Sequence, residues 1–203
     1  MLDVEGFILV GGASSRMGAN KAHLRFGAQT GVERIAAHLQ SLSRRVRVVG
    51  SHDGFDADGF ENVPDLLERW GALGGIYSAF EASVAEWIVV VACDLPLVTD
   101  ALFKRLWNFI DDSFDAIVPI QSDGRPQPLC AIYRPKTVSS DLAELIAAGE
   151  HMPRAFLAQI RTRWVSFEEL SDLAGAEHFF LNVNTPDDYE VARQILERRE
   201  RGA

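Results

Sequence analysis

The sequence predicts an α/β fold with a mainly parallel sheet, on three observations. Gly6-Phe7-Ile8-Leu9-Val10 and Trp87-Ile88-Val89-Val90-Val91-Ala92 are unbroken apolar runs, the look of strands buried on both faces. Stretches with helical spacing of apolar residues separate the strand-like runs. Each of those two runs also stops abruptly, the first at a glycine pair and the second at Cys93-Asp94.

After the first run, Val32, Ile35, Ala36, Leu39 and Leu42 mark a helix from Gly31 to Ser43. Val46, Val48 and Val49 form a second short strand ending at Gly50-Ser51, and Asn62-Val63 leads into Pro64-Asp65. Gly71 to Gly75 opens a helix that runs through Ala85 to the second long strand. A further helix is expected from Thr99 or Asp100, either of which suits the N-cap, with Leu102, Leu106 and Phe109 on one face. Asp115 to Ile120 and Gln127 to Tyr133 read as strands, and the turn-rich "QSDGRP" between them allows a hairpin-like, antiparallel departure. Helical patterns occupy Val138 to Ala148 and Pro153 to Ile160, and Arg163 to Phe167 is a candidate edge strand. The last helix announces itself with Thr185 as N-cap, Pro186 at the first helical position, and Asp187 and Asp188 in the first turn.

Composition narrows the function. A net charge of −9 argues against nucleic acid or an anionic membrane as partner. Two cysteines, Cys93 and Cys130, with no CxxC or Cys/His cluster, argue against structural zinc and a disulfide framework and suit a reducing cytosol. The start "MLDVEGFILVGG" has no positive region and its apolar run is short, so a cytoplasmic protein without a signal peptide is expected. The 203 residues are expected to form one domain.

Ligands of open parallel sheets bind beyond the carboxyl ends of the strands. The stretches after Val10, Val49, Val63 and Ala92 are therefore the ones that matter. The first is "GGASSRMGANK", residues 11 to 21. Its glycines let successive N–H groups turn towards phosphate oxygens, and Arg16 and Lys21 add positive charge. A surface loop with incidental cations is the competing reading, and the order of Arg16, Gly18 and Lys21 after a buried strand counts against it. The spacing fits neither a P-loop nor G-x-G-x-x-G. Asp94, at the end of a hydrophobic strand, must be solvated, paired or bound to metal. Mg²⁺ is the hard cation such a carboxylate shares with substrate phosphates. Asp94, two residues ahead of Pro96, and Asp65, directly after Pro64, can equally be turn residues. Cys93 reads as a small buried hydrophobe, and the five histidines show no metal-ligand spacing.

"LVGGASSRMGANK", residues 9 to 21, closely resembles the L-A-G-G-x-S-x-R-M-G-x-x-K signature of the molybdenum cofactor guanylyltransferases, the molybdopterin-guanine dinucleotide biosynthesis protein A family. "VPD" ahead of "GALGGIYSA", then "ACDLP", "RPQPLCAIY" and "NVNTPDDY" extend the resemblance in order over nearly the whole chain. It implies a Rossmann-like, mostly parallel sheet flanked by helices, of the nucleotide-diphospho-sugar transferase type, with one antiparallel strand in the second half. Residues 1–110 would be mainly the nucleotide-binding half and 111–203 mainly the acceptor-binding half. The implied reaction moves GMP from GTP to molybdenum-molybdopterin, with Mg²⁺, and releases pyrophosphate.

The resemblance also implies roles by position. The backbone of Leu9, Val10 and Gly11 contacts GTP and Gly12 makes room beside it. Lys21 binds the phosphates, Arg16 offsets charge on the leaving pyrophosphate, Asp65 contacts the nucleotide, and Asp94 holds Mg²⁺. Asn182 and Asn184 in "NVNTP" are candidates for the pterin side. A monomer is expected, passing its product on through transient contacts with molybdenum cofactor biosynthesis proteins or molybdoenzyme chaperones. Three departures touch base recognition or the first helix. Val10 replaces the usual Ala, Gly50 stands where a nucleotide-contacting Asn is usual, and "GAQTGVERI" lacks the usual G-x-P-L-L. The alternatives are a cytidylyltransferase acting on the same cofactor, a sugar-phosphate nucleotidyltransferase, and a non-catalytic nucleotide-binding adaptor. The first two commonly read L-A-A-G where this chain has Leu9-Val10-Gly11-Gly12.

Overall fold

The computed structural model describes residues 4–11, 21–50, 59–67 and 70–202. Gly12, Arg16, Gly18 and Ser51 lie outside the described residues. The centre is a seven-stranded sheet in the order β5-β4-β1-β6-β8-β7-β9. Its strands are β1 (Val4–Leu9), β4 (Arg45–Val49), β5 (Glu61–Val63), β6 (Trp87–Ala92), β7 (Ala116–Pro119), β8 (Cys130–Tyr133) and β9 (Thr162–Val165). β1 lies between β4 and β6 and is parallel to both, with Leu9 opposite Val49 and Ala92. β8 is antiparallel to both its neighbours, β6 and β7, while β9 at the edge pairs parallel with β7. The expected architecture, with its one reversed strand and its edge strand, is the one observed.

Side chains of β1 alternate between two cores, Val4 and Ile8 facing one and Phe7 and Leu9 the other. This is why the strand reads as continuously apolar: neither face meets water. The first core packs under α1 (Gly31–Gln40) and α3 (Asp100–Trp107), the second under α2 (Gly71–Ala82), α4 (Pro135–Ala147) and α5 (Pro153–Leu157). The C-terminal helix α6 (Pro186–Gly202) forms a third, smaller cluster in which Ala192 and Leu196 join Phe26, Leu97 and Val183.

Helix ends depart from expectation for local reasons. α1 stops at Gln40 rather than Ser43 because the next turn tightens, with Leu42 and Ser43 both donating to the Leu39 carbonyl. Leu42 is still buried, so the apolar period outlasts the helix. α4 begins at Pro135, not Val138, since proline suits a first helical turn, where its missing N–H costs nothing. α2 ends at Ala82, where Ser83 turns extended. Thr99, rather than Asp100, caps α3, its hydroxyl accepting from Leu102 N–H at 3.4 Å. Thr185 caps α6 as expected, accepting from Asp188 N–H while the Asp188 carboxylate accepts from Thr185 N–H. A two-residue hairpin that the sequence reading did not anticipate, β2 (Arg25–Phe26) and β3 (Gln29–Thr30), turns at Gly27 with φ +66°.

Near the amino end of the sheet, Glu5 and Arg47 form a buried ion pair at 2.6 Å. Arg47 also donates to the Ala82 carbonyl and lies over the Phe7 ring, and Ser83 donates to Glu5. At the other end Trp70, just ahead of α2, stacks on His151 from the α4–α5 connection, ring centres 4.2 Å apart. Among the described residues no helix is long and apolar enough to cross a membrane.

Candidate active site

The carboxyl ends of β5, β4, β1 and β6 bring most of the sequence-selected residues to one edge of the sheet. Val10 N–H donates to the Val49 carbonyl at 2.9 Å, and Cys93 N–H to the Leu9 carbonyl at 3.0 Å. Leu9 and Val10 are thus anchored between their neighbours, and Gly11 is the first exposed residue beyond them. Gly50, at the end of β4, has φ +81° and presses on Gly11. A Cβ at Gly50 would stand 3.2 Å from Gly11 Cα, and one at Gly11 would stand 3.2 Å from the Gly50 carbonyl oxygen. The two strand ends therefore make a close, side-chain-free floor. Gly50 in place of the usual Asn is part of that closeness.

Asp65 follows β5 and stands beside this floor. Its Oδ1 accepts from Leu67 N–H at 3.1 Å and lies 3.3 Å from Ser78 Oγ on α2. Its Oδ2 faces the position of a Gly50 Cβ at 4.0 Å. α2 comes this close to β1 because of Gly75, where a Cβ would stand 3.1 Å from Leu9 Cδ1; a Cβ on Gly74 would stand 2.8 Å from Trp70 Cβ at the entry to the helix.

Asp94 ends the turn after β6. Its carbonyl accepts from Val183 N–H at 2.8 Å, which draws the "NVNTP" segment over the sheet end. Lys21 approaches from the other side, 3.9 Å from Asp94 Oδ2, and donates to Asn184 Oδ1. Each of the Lys21 and Asp94 side chains is only 22% exposed. Burial raises the Asp94 carboxyl above its ordinary range, and the Lys21 charge pulls it back down. Asp94 Oδ1 is buried and has no hydrogen-bond partner among the described residues. An unsatisfied buried carboxylate oxygen is costly and suits a bound cation. Among the described residues no cluster of three or more His, Cys, Asp or Glu could hold a metal alone. The donor set fits a hard ion that takes the rest of its oxygens from a substrate or water, as Mg²⁺ does.

The two asparagines part company. Asn184 meets Lys21, whereas Asn182 turns back to the Phe180 carbonyl. Leu24 N–H closes the turn on the Lys21 carbonyl at 3.1 Å, and the residues that follow are tied to α6: Tyr189 donates to the Arg25 carbonyl at 2.6 Å and its ring contacts Phe26. Burial, with the Asp94 charge beside it, pushes the Cys93 thiol up to about 12, so it is a packing group and no nucleophile at neutral pH. Ser78, fully buried behind Asp65, is a residue that the sequence reading missed. Its only signal is a polar residue on the inward face of an apolar helix. Chemically, the edge offers a cation, a carboxylate suited to metal, a second carboxylate whose Oδ2 has no donor among the described residues, and a glycine floor. That set can hold a nucleoside phosphate.

Residues 6–164 match the family described as the MobA-like NTP transferase domain. A protein of Carboxydothermus hydrogenoformans, named a probable molybdenum cofactor guanylyltransferase, is 32% identical over 196 residues, 95% of this chain and 96% of that one. Its namesake in Pelotomaculum thermopropionicum is 33% identical over 204 residues, 100% of this chain and 98% of that one. The crystal structure of molybdopterin-guanine dinucleotide biosynthesis protein A from Archaeoglobus fulgidus shares the fold. The two superpose with a TM-score of 0.81 at 23% identity, covering 96% of this chain and 99% of that one. The chain belongs to the MobA-like NTP transferase family and, within it, to the molybdenum cofactor guanylyltransferases.

Proposed function

We propose that the protein transfers GMP from GTP to molybdenum-molybdopterin, forming the guanine dinucleotide cofactor and releasing pyrophosphate. The observation that carries the proposal is the meeting of Lys21, Asp94 and Asn184 across the sheet end. These three residues come from three separate segments of the chain. In this reading a terminal phosphate oxygen of the acceptor attacks the α-phosphorus of GTP in line. A new P–O bond forms as the bond to the bridging oxygen of the β-phosphate breaks, and pyrophosphate leaves with the electron pair.

The protein's work is positioning and charge neutralisation rather than covalent chemistry. Lys21 stands ready for the phosphates, with Asn184 fixing its direction. Asp94, whose Oδ1 has no hydrogen-bond partner among the described residues, would hold Mg²⁺, and the ion would supply neutralisation of phosphate charge. Asp65 and the Gly11 edge receive the nucleoside, Gly12 makes room beside it, and Arg16 offsets charge on the leaving pyrophosphate. In this reading Asn184, through its bond to Lys21, serves the acceptor side, while Asn182, whose amide donates to the Phe180 carbonyl, shapes the same segment.

The test is pyrophosphate release with GTP, CTP, ATP and UTP, each with molybdenum-molybdopterin as acceptor. Preference for GTP is expected. Preference for CTP would overturn the choice of base, and GTP binding without pyrophosphate release would leave a nucleotide-binding adaptor.

A further inference from the structure

A buried serine on a helix ordinarily satisfies itself by donating to the carbonyl four residues back, and Ser78 is 2.9 Å from Gly74 O. Ser78 does more than that. Its oxygen accepts from Leu66 N–H at 3.0 Å, in the loop ahead of α2, and it lies 3.3 Å from Asp65 Oδ1. The single hydroxyl proton thus has two acceptors within reach, the Gly74 carbonyl at 2.9 Å and the Asp65 carboxyl at 3.3 Å, and a carboxylate is a stronger acceptor than a backbone carbonyl. With Leu67 N–H on the same Oδ1, Asp65 is held through one oxygen from two directions. Oδ2 has no donor among the described residues and looks onto the Gly50–Gly11 floor.

We propose that Ser78 is a positioning residue for nucleotide selection: it locks Asp65 through Oδ1, so that Oδ2 faces the glycine floor as an acceptor for a nucleoside N–H or O–H donor. This rests on the nucleotidyl-transfer reading above. A carboxylate oxygen takes only donors, and a guanosine offers two kinds, the N–H groups of the base edge and the ribose hydroxyls. Gly11 and Gly50 themselves present no side chain to either.

The test is a double-mutant cycle on the full chain with Ser78→Ala, Asp65→Asn and the double variant. Nucleotide affinity is read by calorimetry, and KM and kcat by pyrophosphate release. Ser78→Ala is expected to weaken GTP binding and raise KM by about tenfold, the scale of one hydrogen bond to a charged group, while kcat changes little. The double variant is expected to bind no worse than Asp65→Asn alone, because the serine acts through the carboxylate. Additive losses, which a merely structural serine would give, overturn the proposal, as does an Asp65→Asn variant with unchanged affinity. Inosine triphosphate and 2′-deoxy-GTP separate the two donors. The analogue that costs wild type its affinity should lose that penalty in Ser78→Ala, and an unchanged penalty for both analogues overturns the proposal. If wild type prefers CTP, the guanylyl reading fails, and the cycle run on CTP still decides the role of Ser78.

Discussion

Lys21 Nζ lies 3.9 Å from Asp94 Oδ2 and donates at the same time to Asn184 Oδ1, so one cation joins the first loop, the central strand and the C-terminal segment. Removing it by Lys21→Ala should lower kcat/KM for GTP by about 10²–10³, the range for loss of one preorganised charge-stabilising donor. The acidic limb of the pH–rate profile should also move to higher pH. Burial already raises the Asp94 carboxyl, and Lys21 is the charge that holds it down. A variant with wild-type kinetics and pH profile would remove Lys21 from the site.

Asp94→Asn separates function from stability. The Asp94 carboxyl is raised above its ordinary value of 3.8, so the native state holds that proton more tightly than the unfolded chain. Its contribution to stability therefore falls as pH rises through the interval between the two values, and at pH 7 the ionised group is a net cost. Transfer should be abolished while the melting temperature at pH 7 stays level or rises. A drop of several degrees would show that Asp94 is a structural group.

Arg47→Met tests the buried pair at the far end of the sheet. It leaves the Glu5 carboxylate uncompensated, with Ser83 its one remaining donor among the described residues, and should cost about 3–5 kcal/mol in urea unfolding. Replacing both partners, with Glu5→Leu added, should recover most of that loss. Full stability of the single variant would mean that the pair contributes nothing.

Asp115 predicts the acid side of the stability profile. The Arg161 guanidinium donates to both its oxygens, at 2.7 and 2.8 Å, and holds its carboxyl below the ordinary 3.8. A lowered carboxyl stabilises the fold above its unfolded value, and that stabilisation is lost as pH falls through the folded one. Arg161→Ala should therefore be less stable than wild type at pH 7, and the gap should close below pH 3.8. A gap independent of pH in thermal unfolding would point to lost packing.

The sequence was most legible where physics is local. β1 and β6 betrayed themselves as runs with no polar face, and Thr185-Pro186 marked the start of α6. Asp65 and Asp94 stood out as acids at strand ends, where the structure places them. Their convergence depended on strand order, and β4 beside β1 beside β6 is a tertiary fact. Two-residue strands such as β2 and β3 are too short to show a period. Ser78 was invisible for another reason: its meaning lies in Leu66 and Asp65, which it reaches only once α2 has docked.

The reversal of β8 has a consequence at the rim of the site. Tyr133 at its end pairs with Ile88 at the start of β6, so the chain leaves the sheet at the end remote from Asp94. α4 must then climb back alongside α2, and it delivers residues 149–152 to the end where the nucleotide side opens. Had β8 been parallel, α4 would have run downwards and its last turn would have ended far from Trp70. The one strand that breaks the parallel pattern is what lets His151 rest on that indole, a clasp between the two halves of the chain beside the mouth of the site.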